Sequence, residues 1–193
     1  MKHINVSVFV PHAGCPHQCS FCNQRSISGA ASQPTAQDVR DAALVAMRSS
    51  PEGIKDGEIA FFGGSFTAID RDYMTELLSA AQEFIGENGF RGIRISTRPD
   101  AIDGEICDIL EKYRVTAVEL GAQSTDDRVL AMNRRGHTRE DIFRSARLLK
   151  ERGFETGLQM MTGLYGSTDE DCMNTARDII SLAPDTARIY PTV

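Results

Sequence analysis

The chain has 193 residues, of which 41% are hydrophobic and 25% charged, and it carries a net charge of −6 at pH 7. That composition belongs to one globular domain, too short for a second full one, and excludes a disordered or fibrous chain. The acidic balance disfavours a protein that grips nucleic acid with its whole surface. No apolar run approaches the roughly 18 to 20 residues of a membrane-spanning helix, so no membrane partner is expected.

The opening stretch MKHINVSVFV lacks the long apolar run and the cleavage site of a leader and reads as a first strand, Ile4–Val10. Further β-rich runs follow at Glu58–Phe62, Ile93–Ser96, Thr116–Leu120, Glu155–Met160 and Thr186–Tyr190, each bounded by Gly, Pro or polar residues. Helical patterns lie between them. Val39, Ala42, Ala43 and Ala46 share one face after the cap-like Thr35–Asp38, and Met74, Leu77, Leu78, Ala81 and Ile85 form a stripe after Asp70. A shorter helix carries Ile106, Ile109 and Leu110. Another carries Ile142, Phe143, Ala146 and Leu149 and stops at Gly153; a fifth carries Cys172, Ala176, Ile179 and Ile180 and stops at Pro184. Strand and helix in alternation give parallel strands with right-handed crossovers, in an open doubly wound sheet or a barrel. Periodicity does not choose between the two. In both, ligands bind at the carboxyl ends of the strands, so chemistry is expected just past each β-rich run.

The five cysteines are odd in number and uneven in placement: Cys15, Cys19 and Cys22 are close together, Cys107 and Cys172 far away. That pattern points to metal or redox chemistry in a reducing cytoplasm and away from a disulfide framework. Three thiols spaced C-x3-C-x2-C on one loop suit two sites. One is a zinc knuckle completed by His12 or His17; the other is an iron–sulfur cluster with one iron left open to an exogenous ligand. Cys107 and Cys172 sit on helical stripes and read as core residues, as do Met160 and Met161. In AFFGGSFT, Gly63 and Gly64 let the backbone approach a ligand closely. Arg134, Arg135, His137 and Arg139 form the densest basic group, which charge alone assigns to a solvated loop. For Glu119 and His137 a structural and a catalytic role are equally open.

With Phe21 before its last cysteine, C-x3-C-x2-C resembles the signature of radical S-adenosylmethionine enzymes. FVPHAGCPHQCSFCNQ, GGSFT, RISTRPD and VELGAQSTDDRVLAMNRRGHT follow in order at successive strand ends. Together they resemble the radical domain of the catalytic subunit of Elongator and, more distantly, oxygen-independent coproporphyrinogen oxidase. The resemblance spans Val6 to Pro191. It implies an α/β fold, a partial (β/α)6 parallel barrel ending at the sixth strand. Residues 1–193 would form the radical core domain, with the element that covers the last strand beyond Val193. The implied cofactors are a [4Fe–4S] cluster on Cys15, Cys19 and Cys22 and S-adenosylmethionine. One electron from reduced flavodoxin or ferredoxin would cleave the latter to a 5′-deoxyadenosyl radical that abstracts hydrogen from a substrate, in the cytoplasm.

Carried over position by position, the resemblance places Phe9 and Phe21 beside the cofactor. Gly63, Gly64 and Ser65 fall at its methionine amino group, Gln123 on the glutamine of the fourth-strand motif, and Arg135 at its carboxylate. Ser96 and Gln159 stand at contact positions where the family often has an acidic residue. A neutral side chain there still hydrogen-bonds a ribose, without charge assistance. The substrate stays open between RNA and a small metabolite or porphyrin, and a zinc-binding module is the non-enzymatic alternative.

Overall fold

The computed structural model describes residues 4–11, 19–22, 32–50 and 54–192; Cys15, His12 and His17 lie outside them. Its strands are β1 (Asn5–Val10), β2 (Glu58–Gly63), β3 (Gly92–Thr97), β4 (Val115–Gln123), β5 (Glu155–Thr162) and β6 (Thr186–Pro191). They form one sheet in sequence order, with every neighbouring pair parallel. A doubly wound sheet reverses its strand order at a switch point, so unreversed order is that of a barrel wall. The sheet curls far enough for Phe9 of β1 and Arg188 of β6 to line the same cavity. The expected partial barrel is the observed fold. The strands run past the expected ends, because residues that read as turns, such as Gly63 and Gln123, still pair.

The helices are α1 (Ala36–Ser49), α2 (Arg71–Gln82), α3 (Gly104–Lys112), α4 (Asp127–Met132), α5 (Arg139–Glu151) and α6 (Asp169–Leu182). Each starts on a side chain that accepts from the backbone three residues on: Thr35, Asp70, Asp103, Asp126, Thr138 and Thr168. The three threonines form reciprocal capping boxes with Asp38, Asp141 and Asp171, each cap stabilising its helix by about 1 kcal/mol. Ile85 lies beyond α2 and bridges to Phe90 instead of extending the helical stripe. Helix α4 was not expected, since six residues are too few to display a period.

Alternation along each strand separates two faces. The convex face carries Val8, Val10, Ile59, Phe61, Ile93, Ile95, Val118, Leu120, Leu158 and Met160 against the apolar stripes of the helices, and this is the core. Cys107 is fully buried in it, as expected, and the Phe61 and Phe66 rings stack 4.6 Å apart. Burying each such side chain stabilises by about 1.5–3 kcal/mol.

The concave face is polar, and its floor, at the amino ends of the strands, is ionic. Arg94, 4% exposed, donates from Nε to Glu58 (2.6 Å), from Nη1 to Glu119 (2.7 Å) and from Nη2 to Glu155 (2.5 Å). Arg91 adds donors to Glu58 (2.6 Å) and Glu155 (3.0 Å), and Arg188 one to Glu119 (3.2 Å). Burial opposes the ionisation of Glu58, but the Arg91 and Arg94 guanidiniums outweigh it and hold that carboxyl below its usual range. Burial likewise opposes the charge on Arg94, and Glu155 and Glu58 reverse it, raising its pKa. Glu119, whose role the sequence left open, is a structural member of this network.

Candidate cofactor site

The opposite end of the concave face, at the carboxyl ends of the strands, is built from glycines and turned backbone. At Gly63, φ is +115°, and a Cβ there would meet the Val10 carbonyl oxygen at 2.8 Å and the Phe9 ring at 3.0 Å. Glycine is required on both counts. Gly64 N–H donates back to the Val10 carbonyl at 3.0 Å, and buried Ser65 begins the 3₁₀ turn Phe66–Ala68. Strand β4 carries an irregularity between Gly121, which pairs with Gln159, and Gln123, which pairs with Met160. Gln123 takes φ 67°, so the bulge re-aims its side chain. A Cβ on Gly121 would lie 2.9 Å from Gln123 Nε2 and 3.3 Å from Arg135 Nη2, so that glycine makes room for both.

The cysteine segment docks on this end. Cys22 N–H donates to the Cys19 carbonyl at 3.0 Å, making a turn that buries Cys19 and exposes Cys22. Arg135 donates from Nη1 to Cys19 Sγ (3.4 Å) and from Nη2 to the Gly121 carbonyl (2.7 Å), with its guanidinium 5.9 Å from the Phe21 ring centroid. The solvated loop expected from charge is therefore corrected. Arg135 is 8% and His137 3% exposed, while Arg134 is exposed and Arg139 pairs with Asp178 over the Phe143 ring. His137 sits 3.1 Å from the Ala122 carbonyl oxygen through Nε2. Burial first, and Arg135 second, push its pKa down to about 4, so the ring is neutral at pH 7.

Two adjoining cavities open here. One of about 150 Å³ is lined by Cys19, Phe21, Cys22, Gly63, Gly64, Ser65, Ser96, Gln123, Arg135 and Gln159 among others. The other, of about 520 Å³, shares Phe21, Cys22, Gly63, Ser96 and Gln159 and adds Phe9, Phe62, Arg188 and Tyr190. Every site residue expected from the resemblance lines one of the two, except Cys15, which lies outside the described residues. Phe62, Thr97, Arg98, Gly121, Arg188 and Tyr190 were missed. Strand alternation was the available signal, because Phe62, Arg188 and Tyr190 share the concave parity of Glu58 and Thr186.

The residues present suit an iron–sulfur cluster and an amino-acid ligand. Cys19 and Cys22 lie at the cavity wall and carry sulfur, the soft donor that such clusters take. Among the described residues no group of three metal-ligating side chains occurs, and Cys15, the first cysteine of the motif, lies outside them. Arg135 Nε and Gln123 Oε1 are buried with no partner among the described residues. An unmet buried donor or acceptor costs about 1–3 kcal/mol, so an orphaned donor and acceptor on two side chains of one cavity fit a ligand that both accepts and donates.

The sequence pattern of the Radical SAM superfamily matches residues 9–179. This chain belongs to that superfamily. Its members are enzymes that use a [4Fe–4S] cluster and S-adenosylmethionine, the pair that the thiols and orphaned polar atoms suit. The tRNA uridine(34) acetyltransferase of Methanocaldococcus infernus is 27% identical over 154 residues, 69% of this chain and 29% of that protein. The solved structure of Elp3 from the same archaeon, with an N-terminal deletion, superposes with a TM-score of 0.74 at 23% identity, over 98% of this chain and 45% of that one. Coproporphyrinogen III oxidase of Escherichia coli gives a TM-score of 0.70 at 20% identity, over 99% and 44%. These structural likenesses show the Radical SAM fold. The chain spans about half the length, or less, of the curated relatives it matches. No helix among the described residues is long and apolar enough to cross a membrane.

Proposed function

We propose that this chain holds a [4Fe–4S] cluster on Cys15, Cys19 and Cys22, binds S-adenosylmethionine beside it, and acts on an RNA substrate. One observation carries the reading: Cys19, Cys22, Gly63–Ser65, Gln123 and Arg135, spread over more than a hundred residues, converge on one pair of cavities at the carboxyl ends of the strands. When bound, the pair supplies reductive cleavage of the cofactor's sulfonium bond and, through it, hydrogen abstraction. The protein's part is to bind, orient and exclude water. Arg135 offers its free Nε to the cofactor's carboxylate, and Gln123 offers Oε1 to a donor on the same molecule. Gly63 and Gly64 admit the ligand against bare backbone. Phe9, Phe21, Phe62 and Tyr190 give the larger cavity apolar walls that keep water from a reactive species. Reduced flavodoxin or ferredoxin is the proposed electron donor. The likeness to a tRNA uridine(34) acetyltransferase supports RNA as the substrate, engaged locally given the net charge of −6.

The test is cofactor binding and turnover on anaerobically reconstituted protein. With dithionite the protein is expected to release 5′-deoxyadenosine and methionine, faster with transfer RNA present. Loss of a charged contact costs about 1.5–3 kcal/mol, so Arg135→Ala should weaken S-adenosylmethionine binding roughly ten- to a hundredfold. Unchanged affinity in that variant contradicts the assignment of Arg135, and rates indifferent to RNA contradict the substrate.

A further inference from the structure

We infer that Asn133 is a positioning residue for the cysteine segment, clasping the Cys19–Cys22 turn to the barrel wall through one fully engaged amide. The inference rests on the proposed function only for what the segment is positioned to hold.

Asn133 ends helix α4 and is 1% exposed. Its Nδ2 spends both hydrogens on carbonyls, Val129 at 2.8 Å and Tyr165 at 2.9 Å. Its Oδ1 accepts from Ser20 Oγ at 2.7 Å, and its backbone carbonyl accepts from Ser20 N–H at 3.3 Å. One side chain thus joins three segments: α4, the loop after β5 that carries Tyr165, and the residue that follows Cys19. The amide has a single workable orientation, since reversing it sets Oδ1 against two carbonyls. Asparagine is specified for the same reason. Aspartate keeps the shape but brings an acceptor to the Val129 and Tyr165 carbonyls, and alanine orphans the Ser20 hydroxyl.

The next two residues finish the clasp. Cys19 Sγ lies 3.9 Å from the Arg134 carbonyl oxygen, and Arg135 reaches Cys19 Sγ. Arg134 holds φ 56°, a left-handed conformation costly for arginine, immediately after Asn133. Strain at that step places the Arg134 carbonyl and the Arg135 side chain on the cysteine while Asn133 holds Ser20. Cys19 is 6% exposed as a result, whereas Cys22 in the same turn stays open.

Alkylation of individual cysteines in the apo protein, read by mass spectrometry, tests this without the cluster. Cys19 should react far more slowly than Cys22. Ser20→Ala and Asn133→Ala should each speed Cys19 roughly five- to tenfold, the equivalent of one hydrogen bond, and the double variant should be no faster than Asn133→Ala alone. Cys107, fully buried on the convex face, is the internal control and should not change. A Cys19 rate unmoved in both single variants, or a Cys107 rate rising in parallel, overturns the inference. In a second arm, both variants should lose reconstituted iron to a chelator several-fold faster than wild type. A wild type that takes up no iron overturns the proposed function instead, and the alkylation rates still decide the role of Asn133.

Discussion

The two ends of the concave face are both polar and both buried, but they handle their polar groups in opposite ways. At the floor Glu58, Glu119 and Glu155 meet Arg91, Arg94 and Arg188, and the charges balance within the protein. Glu119 Oε2 and Thr186 Oγ1 are the exceptions there, with no partner among the described residues. At the mouth Arg135 Nε and Gln123 Oε1 go unmet, Gln123 and Arg134 are held at positive φ, and glycines keep space open. The floor satisfies its own chemistry and serves folding. The mouth leaves its chemistry for a ligand and carries strain that the rest of the fold sustains.

The sharpest contrast is between two arginines. Removing one partner of a buried ionic network leaves charges uncompensated, so Arg94→Met should cost about 3–5 kcal/mol in urea denaturation. Arg135→Met removes a guanidinium that is already partly unsatisfied and should cost about 1 kcal/mol or less while impairing cofactor binding. Equal losses of stability for the two would erase the distinction.

His137, behind the mouth, gives a smaller effect with a defined sign. Its folded pKa of about 4 lies below the ordinary value of 6.5, so on acidification the unfolded chain takes up the proton first. The stability this group contributes is complete above pH 6.5 and is lost as pH falls from there to about 4, up to about 3 kcal/mol. His137→Gln, which still offers a donor to the Ala122 carbonyl, should flatten that part of a stability-against-pH curve. A wild-type curve with no slope between pH 6.5 and 4 would contradict the buried neutral ring.

What the sequence displayed depended on how local the signal was. The strand runs and the starts of the first two helices at Thr35–Asp38 and Asp70 are short-range features and sit where the pattern put them, whereas the equally local Thr138 and Thr168 caps were not singled out and Gly63, read as a turn, pairs at the end of its strand. The floor network was hidden. Glu58, Arg94, Glu119 and Glu155 each look like the solvent side of an alternating strand, and only the curl of the sheet turns those sides inward onto one another. The cofactor contacts came from resemblance, because a glutamine in a β-bulge and an arginine after a short helix have no periodic signature. Burial of Arg135 and His137 went against their charge for the same reason. The Ser20–Asn133 clasp joins residues 113 apart, a distance that no window along the chain spans.

The central claim is that the mouth holds an iron–sulfur cluster on the three clustered cysteines. Anaerobic reconstitution with iron and sulfide, followed by iron analysis and electron paramagnetic resonance of the reduced protein, tests it most directly. The account predicts about four irons per chain and a [4Fe–4S] signal that changes when S-adenosylmethionine is added, as expected for an open iron site. Cys15→Ala, Cys19→Ala and Cys22→Ala should each abolish it, and Cys107→Ala and Cys172→Ala should leave it intact. Stoichiometric zinc with no visible absorption, or a cluster that survives loss of Cys19 or Cys22, would contradict the account.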